Sequence, residues 1–293
     1  MSMLSGADLV RVLSAELIRR HEMKSPITGI PTGLAHFDAL TSGLQAGEMT
    51  VIAARPGGGK TAIALEMIQR MSLPKRGEAP TPVLMLSLEM SARALAERLA
   101  MALSGLPSSK LRRADFTRDE LSDYKRAATR IVSGGLTVMD AALGLTADKI
   151  GDTIGEWCAA QGRPGVVIVD YLQLIRPGAK RQPSREREVA EASMSCRAAA
   201  RQHGVPIIAL AQLSRAGADR SDPRPRATDL RESGQIEQDA DVIALLHTAA
   251  KPEDEDFDRM DMIVEKNRNG AQGTVKLRFD RARQRIHEVI EDA

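Results

Sequence analysis

The stretch Ala54-Arg55-Pro56-Gly57-Gly58-Gly59-Lys60-Thr61 lies between an apolar run, Met-Thr-Val-Ile-Ala-Ala over residues 49–54, and a stretch of helical periodicity over residues 61–71. A glycine-rich loop closed by Lys-Thr, with a strand before it and a helix after it, is the arrangement of a P-loop. Successive backbone N–H groups converge on a polyphosphate only in conformations, and at approach distances, that a Cβ would obstruct, so the loop interior is glycine. On this reading Arg55, Pro56, Gly57, Gly58, Gly59, Lys60, Thr61 and Ala62 form the cradle for ATP. Lys60 brings a point charge to the β- and γ-phosphates, and Thr61 brings a hydroxyl to Mg²⁺. Ala54 stands where the pattern has its first glycine. A plain glycine-rich turn is the alternative reading, and the flanking elements and two later motifs weigh against it.

Outward from the loop, apolar runs alternate with helical stretches. The runs are residues 49–54, 83–88, 136–139, 166–170, 207–211 and 242–246; the helices between them are 61–71, 92–104, 117–133, 147–161 and 184–203. The last is stopped by Gly204 and Pro206. This alternation predicts an α/β domain whose mostly parallel central sheet is flanked by helices. After residue 260, three short apolar-polar runs, the first two separated by Asn269-Gly270 and Gly273, predict C-terminal antiparallel strands. Residues 5–20 place Leu9, Leu13 and Leu17 on one helical face after a Ser5 cap with Asp8 near the positive end. That face needs a cover, either the chain's own domain or a neighbouring subunit. A Pro-containing extended segment, 24–32, then leads into the main body. The expected organisation is an N-terminal helix and connector over 1–27 and one domain over 28–293.

Composition narrows the partners. The 293 residues carry 41 Lys and Arg against 39 Asp and Glu, a net charge of +2, so nucleic acid could be met only by local basic segments. Such segments are 176–184 and 214–226, both after predicted strand ends, the ligand-binding edge of open α/β sheets. Aromatic residues make up 2%, which argues against a surface of stacked bases and for contact with backbone phosphate. Cys158 and Cys196 have no metal-ligand spacing and are expected as buried free thiols of a reducing compartment. No apolar run approaches the ~20 residues of a membrane span, and the N-terminus lacks the design of a signal peptide. The expectation is a soluble cytoplasmic protein with no membrane partner.

Three further motifs carry chemistry. Val166-Val-Ile-Val-Asp170 is an apolar strand ending in an acid that can share Mg²⁺ with Thr61. Leu86-Ser-Leu-Glu89 ends another strand in an acid, where Glu89 is either a base for the attacking water or a helix N-terminal charge. Gln212 closes a third strand, within reach of a γ-phosphate, although a strand-end Gln is otherwise ordinary. In Ile263-Val-Glu-Lys266-Asn-Arg268-Asn-Gly270, strand periodicity points Lys266 and Arg268 to one face. They guard an edge strand, or they reach a neighbour's γ-phosphate as a trans-acting finger does.

Together, residues 54–61, Ser87-Leu-Glu-Met90, Asp170-Tyr-Leu-Gln-Leu174, Ala211-Gln-Leu-Ser-Arg215, Asp229-Leu-Arg-Glu-Ser-Gly-Gln-Ile-Glu-Gln-Asp-Ala-Asp241 and Lys266-Asn-Arg-Asn-Gly270 resemble, in order and spacing, the DnaB family of replicative DNA helicases. The string 229–241 is the most family-specific. The resemblance covers roughly residues 28–290 and implies a RecA-like P-loop NTPase fold, a homo-hexameric ring, ATP and Mg²⁺ between subunits, and single-stranded DNA in the channel. It implies Lys60 and Thr61 as nucleotide and Mg²⁺ contacts, Glu89 as catalytic glutamate, Asp170 as the second metal-holding residue and Gln212 as γ-phosphate sensor. Lys266 and Arg268 resemble the trans-acting pair, and Arg215, Arg231, Glu232 and Gly234 the DNA-binding positions. Family members usually carry an N-terminal collar that receives primase. Here residues 1–27 resemble only the linker helix, so a collarless motor of bacterial or phage type is expected, with a loader or primase as candidate further partner. A recombinase-like filament and a regulatory ATPase that does not unwind DNA are the alternatives.

Overall fold

The computed structural model describes residues 5–73, 79–141, 144–162, 164–178, 184–214, 220, 222–230, 234–249 and 257–289. Its strands are β1 (Met49–Ala54), β2 (Val83–Ser87), β3 (Leu136–Asp140), β4 (Val166–Asp170), β5 (Ile207–Gln212), β6 (Val242–Thr248), β7 (Asp258–Asn267), β8 (Gly273–Asp280) and β9 (Arg285–Glu288). The helices are α1 (Gly6–Met23), α2 (Ala35–Thr41), α3 (Lys60–Ser72), α4 (Ala92–Ser104), α5 (Ser108–Arg113), α6 (Arg118–Val132), α7 (Ile150–Gln161), α8 (Arg185–His203) and α9 (Gly234–Asp239). All strands join one sheet in the order β3-β2-β4-β5-β1-β6-β7-β8-β9. The first six strands in that order pair in parallel and the last three add antiparallel.

β1, β2 and β4 are buried along their whole length, as parallel strands covered on both faces must be. Alternate residues serve opposite layers. Ile52, Met85, Ile168 and Leu210 meet Ile63, Met67 and Ile68 of α3 and Leu95 and Leu99 of α4. Val51, Leu86, Val167 and Ala209 meet Ile150, Ile154 and Trp157 of α7 and Val189, Cys196 and Ala200 of α8. The helices stop where the sequence says they should. α4 starts at Ser91, whose hydroxyl accepts from the Ala94 N–H, and ends at left-handed Gly105; α8 ends at left-handed Gly204.

This topology brings the C-terminal ends of β1, β5, β4 and β2 to one edge. Ala54 pairs with Gln212, and Ser87 with Asp170, so the P-loop, the Gln and the two acid-bearing strand ends stand side by side. At the opposite edge, Asn267 pairs with Val242, which pairs with Thr50 near the start of β1.

α1 has the expected cap: Ser5 and Asp8 bond reciprocally as a capping box. Leu9, Leu13 and Leu17 are each more than half exposed, so in the single chain its own domain does not cover the stripe. Cys196 is buried, and burial pushes its thiol up to about 12, whereas Cys158 is only partly buried, short of the full burial expected.

Candidate active site

The P-loop leaves β1 through Gly57 and Gly59, both at positive φ (73° and 87°), and enters α3 with Gly59 as its cap and no acidic residue in the first turn. The positive end of that helix therefore faces the loop with no acid from its own first turn to offset it. A Cβ on Gly58 would stand 2.9 Å from the Arg55 carbonyl oxygen. A cavity of about 280 Å³ opens there, lined by Gly57 to Ala62 together with Glu89, Arg98, Phe279, Arg281 and Gln284.

Four sequence-expected residues meet at this mouth. Lys60 Nζ lies 3.0 Å from Asp170 Oδ1 and 3.6 Å from Glu89 Oε2, and 3.4 Å from the centroid of the Tyr171 ring. Thr61 Oγ1 donates to Asp170 Oδ2 at 2.8 Å. Lys60 Nζ and Asp170 Oδ1 are both buried, and neither completes a hydrogen bond, so their contact is an ion pair with unused directional capacity. That unspent capacity fits a site built for another occupant. The donors, a hydroxyl and a fully buried carboxylate, are hard oxygens suited to Mg²⁺, which takes one or two carboxylates and leaves the rest of its shell to phosphate and water.

Gln212 is held from β4's side. Its N–H donates to Gln173 Oε1 at 3.1 Å, and Gln173 Nε2 donates to the Gln212 carbonyl at 3.2 Å, so a side chain clamps this strand end as a neighbouring strand would. Arg55 and Pro56 line a second cavity and not the first. Lys266 and Arg268 sit at the opposite edge of the sheet, some five residues of strand, roughly 17 Å, from their own P-loop. Both side chains turn toward the α9 segment: Lys266 Nζ donates to the Glu237 carbonyl at 2.5 Å, and Arg268 Nη1 pairs with Asp241 at 3.0 Å. Burial, and then the Arg268 charge, hold the Lys266 ammonium below its ordinary range. Gly234 opens α9 and is exposed; Arg215, Arg231 and Glu232 lie outside the described residues. Of the arginines in 214–226, Arg220, Arg224 and Arg226 pair with Asp229, Asp261 and Asp222, so this segment is less freely basic than its composition suggests.

Sequence reasoning missed Gln173, Arg98 and the far wall made by the turn after β8. That turn reaches the cavity because the Ser108 N–H donates to the Ala282 carbonyl and Arg283 Nε to the Gly105 carbonyl. Only the assembled sheet brings it there. Gln173 alone carried a signal, lying inside a motif already singled out.

A family model described as the DnaB-like helicase C terminal domain matches residues 29–288. The chain belongs to this family. Among curated relatives, it is 37% identical over 261 residues to the replicative DNA helicase DnaC of Bacillus subtilis, covering 88% of this chain and 56% of the relative. It is likewise 37% identical over 264 residues to the replicative DNA helicase DnaB of Geobacillus stearothermophilus, with the same coverage. The chain thus spans little more than half the length of these relatives. A solved structure described as an ATPase domain superposes with a TM-score of 0.88 at 31% identity, covering 98% of this chain and all of that one. A DnaB-like replicative helicase, described with its interactions with primase, gives 0.83 at 32% identity, covering 98% of this chain and 67% of that chain. A KaiC-like protein from Pyrococcus horikoshii, at 20% identity and a TM-score of 0.59, shares the fold. The DnaB-like family fixes the fold as the RecA-like type that the resemblance implied.

Proposed function

We propose that the chain is an ATP-driven DNA motor that works as a homo-hexameric ring, hydrolysing ATP between subunits to move 5′ to 3′ on single-stranded DNA and unwind duplex DNA during replication. The observation that carries this reading is the convergence of Lys60, Thr61, Glu89 and Asp170 at one P-loop, in a chain of a helicase family.

In this reading Lys60 would meet β- and γ-phosphate oxygens in place of its carboxylate partners, and Thr61 and Asp170 would hold Mg²⁺ through their oxygens. Mg²⁺, when bound, offsets phosphate charge in the transition state. Glu89, half exposed at the cavity mouth, accepts the proton of the attacking water. Gln212, fixed by Gln173, hydrogen-bonds the γ-phosphate and registers its loss. Lys266 and Arg268 serve the next subunit's site, a role suited to their distance from their own. The 176–184 and 214–226 segments, which follow β4 and β5, together with Arg231, Glu232 and Gly234, hold the strand through its backbone phosphates, so any sequence passes. A replication loader or primase is a candidate partner, the latter because a structural neighbour is described with primase. Among the described residues no helix is long and apolar enough to cross a membrane. A regulatory or recombinase-like ATPase without unwinding is less well supported, since the relatives are described as replicative helicases.

The test is strand separation on a forked duplex with a free 5′ tail under saturating ATP, alongside Lys60→Ala. Unwinding by the wild type and not by the variant is expected. DNA-stimulated hydrolysis with no strand separation would refute a self-sufficient motor.

A further inference from the structure

Behind the P-loop, on the β6 side, lies the second cavity, of about 240 Å³, which among described residues shares only Gly57, Gly58 and Arg281 with the first. Its polar walls are Arg55, His247, Thr248 and Arg281. Two of them already brace the loop: Thr248 Oγ1 donates to the Gly58 carbonyl at 3.3 Å, and Arg281 Nη1 to the Gly57 carbonyl at 3.1 Å. Arg281 is balanced by Asp258, and nearby Arg224 by Asp261. Arg55 is different. Its Nε and Nη2 are buried and have no hydrogen-bond acceptor, and among the described residues it forms no ion pair. A guanidinium cannot shed its proton to escape burial, so a partly buried arginine with two buried, unpartnered nitrogens beside a cavity calls for an anion. The imidazole of His247 stands by it. Burial, Arg55 and Arg224 hold that imidazole below its ordinary 6.5, opposed by Asp261 and Asp222, and near neutral pH it is uncharged and able to take up a proton if an anion arrives.

We propose that this rear cavity is a phosphate subsite, in which an oxyanion is gripped by Arg55 and His247 with Thr248 and Arg281 at its rim. A water takes roughly 30 Å³, so the volume admits a phosphate with part of its hydration shell. Two sources offer that chemistry, free orthophosphate and the phosphodiester of a nucleic-acid backbone. The subsite does not depend on the helicase reading. It would bind from behind the same loop that holds nucleotide in front, so its filling and the loop's conformation are mechanically linked through Gly57 and Gly58.

The test is the pH profile of His247 acylation by diethylpyrocarbonate, which attacks only the neutral imidazole, followed by peptide mass spectrometry on the full chain. Mg²⁺ and a non-hydrolysable ATP analogue keep the front site filled. One arm adds millimolar orthophosphate, the other a single-stranded oligonucleotide without terminal phosphate. A filled subsite raises the apparent pKa of His247 by about one unit and slows its reaction about tenfold on the acid limb. A rise with orthophosphate assigns the subsite to free phosphate, and a rise with oligonucleotide assigns it to the backbone. Arg55→Gln abolishes the rise and Arg55→Lys keeps part of it, while unchanged rates at His21, His36, His203 and His287 certify that each variant is folded. No rise in the wild type with either ligand overturns the proposal, and so does a rise that survives Arg55→Gln.

Discussion

Asp170 holds Lys60 with one oxygen and Thr61 with the other, at the end of a strand whose every residue is buried. Both partners are ones that a nucleotide and its metal would claim, so the carboxylate is poised by the chain's own geometry. Glu89 shares only the outer side of Lys60 and is half exposed, which suits a group that meets water. Glu89→Gln is therefore expected to leave affinity for a non-hydrolysable ATP analogue nearly unchanged while turnover falls by about 10²–10⁴. A loss of binding in place of turnover would reassign Glu89 to positioning Lys60. A second residue-scale expectation concerns acid. Burial is the first cause holding both His247 and His287 below 6.5, so the unfolded chain takes up their protons at higher pH than the folded one. Their contribution to stability is complete above 6.5 and is lost as pH falls through the folded values. His247→Gln is expected to flatten the fall of melting temperature on acidification below 6.5, and an unchanged slope would show that His247 does not contribute.

The P-loop works as an element because its glycines have no substitutes. Gly59 sits at φ 87°, and a Cβ there would also stand 2.6 Å from Met260 Cε on β7. Left-handed strain of about 1–2 kcal/mol falls on the cap of α3 in the folded chain, so Gly59→Ala is expected to lower the melting temperature by about 2–4 °C. An unchanged melting temperature would mean that the loop relaxes without cost. Elements of this kind were legible in the sequence because their signals are local. Continuous apolar runs marked β1, β2 and β4, since burial on both faces leaves no alternation. Ser91, Gly105 and Gly204 sat where the helices begin and end. α2, α5 and α9 are six or seven residues long, too short for a periodic signal, and the Arg98, Arg281 and Gln284 wall of the site depends on which strands are neighbours, which no local pattern encodes. Gln173 shows the same limit inside a motif: the string named the residue, but its clamp on Gln212 exists only once β4 and β5 pair.

At the scale of the whole molecule, the sheet holds the P-loop cluster and the Lys266–Arg268 pair at opposite edges, the separation expected if each serves as half of a shared site. Its C-terminal edge carries the P-loop with Lys60, Thr61, Glu89 and Asp170, and the other edge carries Lys266 and Arg268, parked on Glu237 and Asp241. One chain cannot bring them together without unpairing β1, β6 and β7, whereas a head-to-tail neighbour can, since a heterologous ring contact joins opposite faces of identical subunits. The exposed stripe of α1, with Leu9, Leu13 and Leu17, offers such a neighbour an apolar hold. Replacing Leu13 and Leu17 by Asp is expected to shift the protein toward monomer in sedimentation velocity, with the melting curve of the main domain unchanged. Complementation puts the divided site to a sharper test. Lys60→Ala subunits keep an intact Arg268 edge, and Arg268→Ala subunits keep an intact P-loop that still binds nucleotide, yet each protein alone is expected to be inactive. When the two are dissociated and reassembled in equal amounts, about one interface in four joins an intact P-loop to an intact edge, so hydrolysis is expected to return toward that fraction of the wild-type rate. Were Arg268 to act on its own subunit's nucleotide, every subunit in the mixture would still lack one essential group, and no proportion of the two would recover turnover.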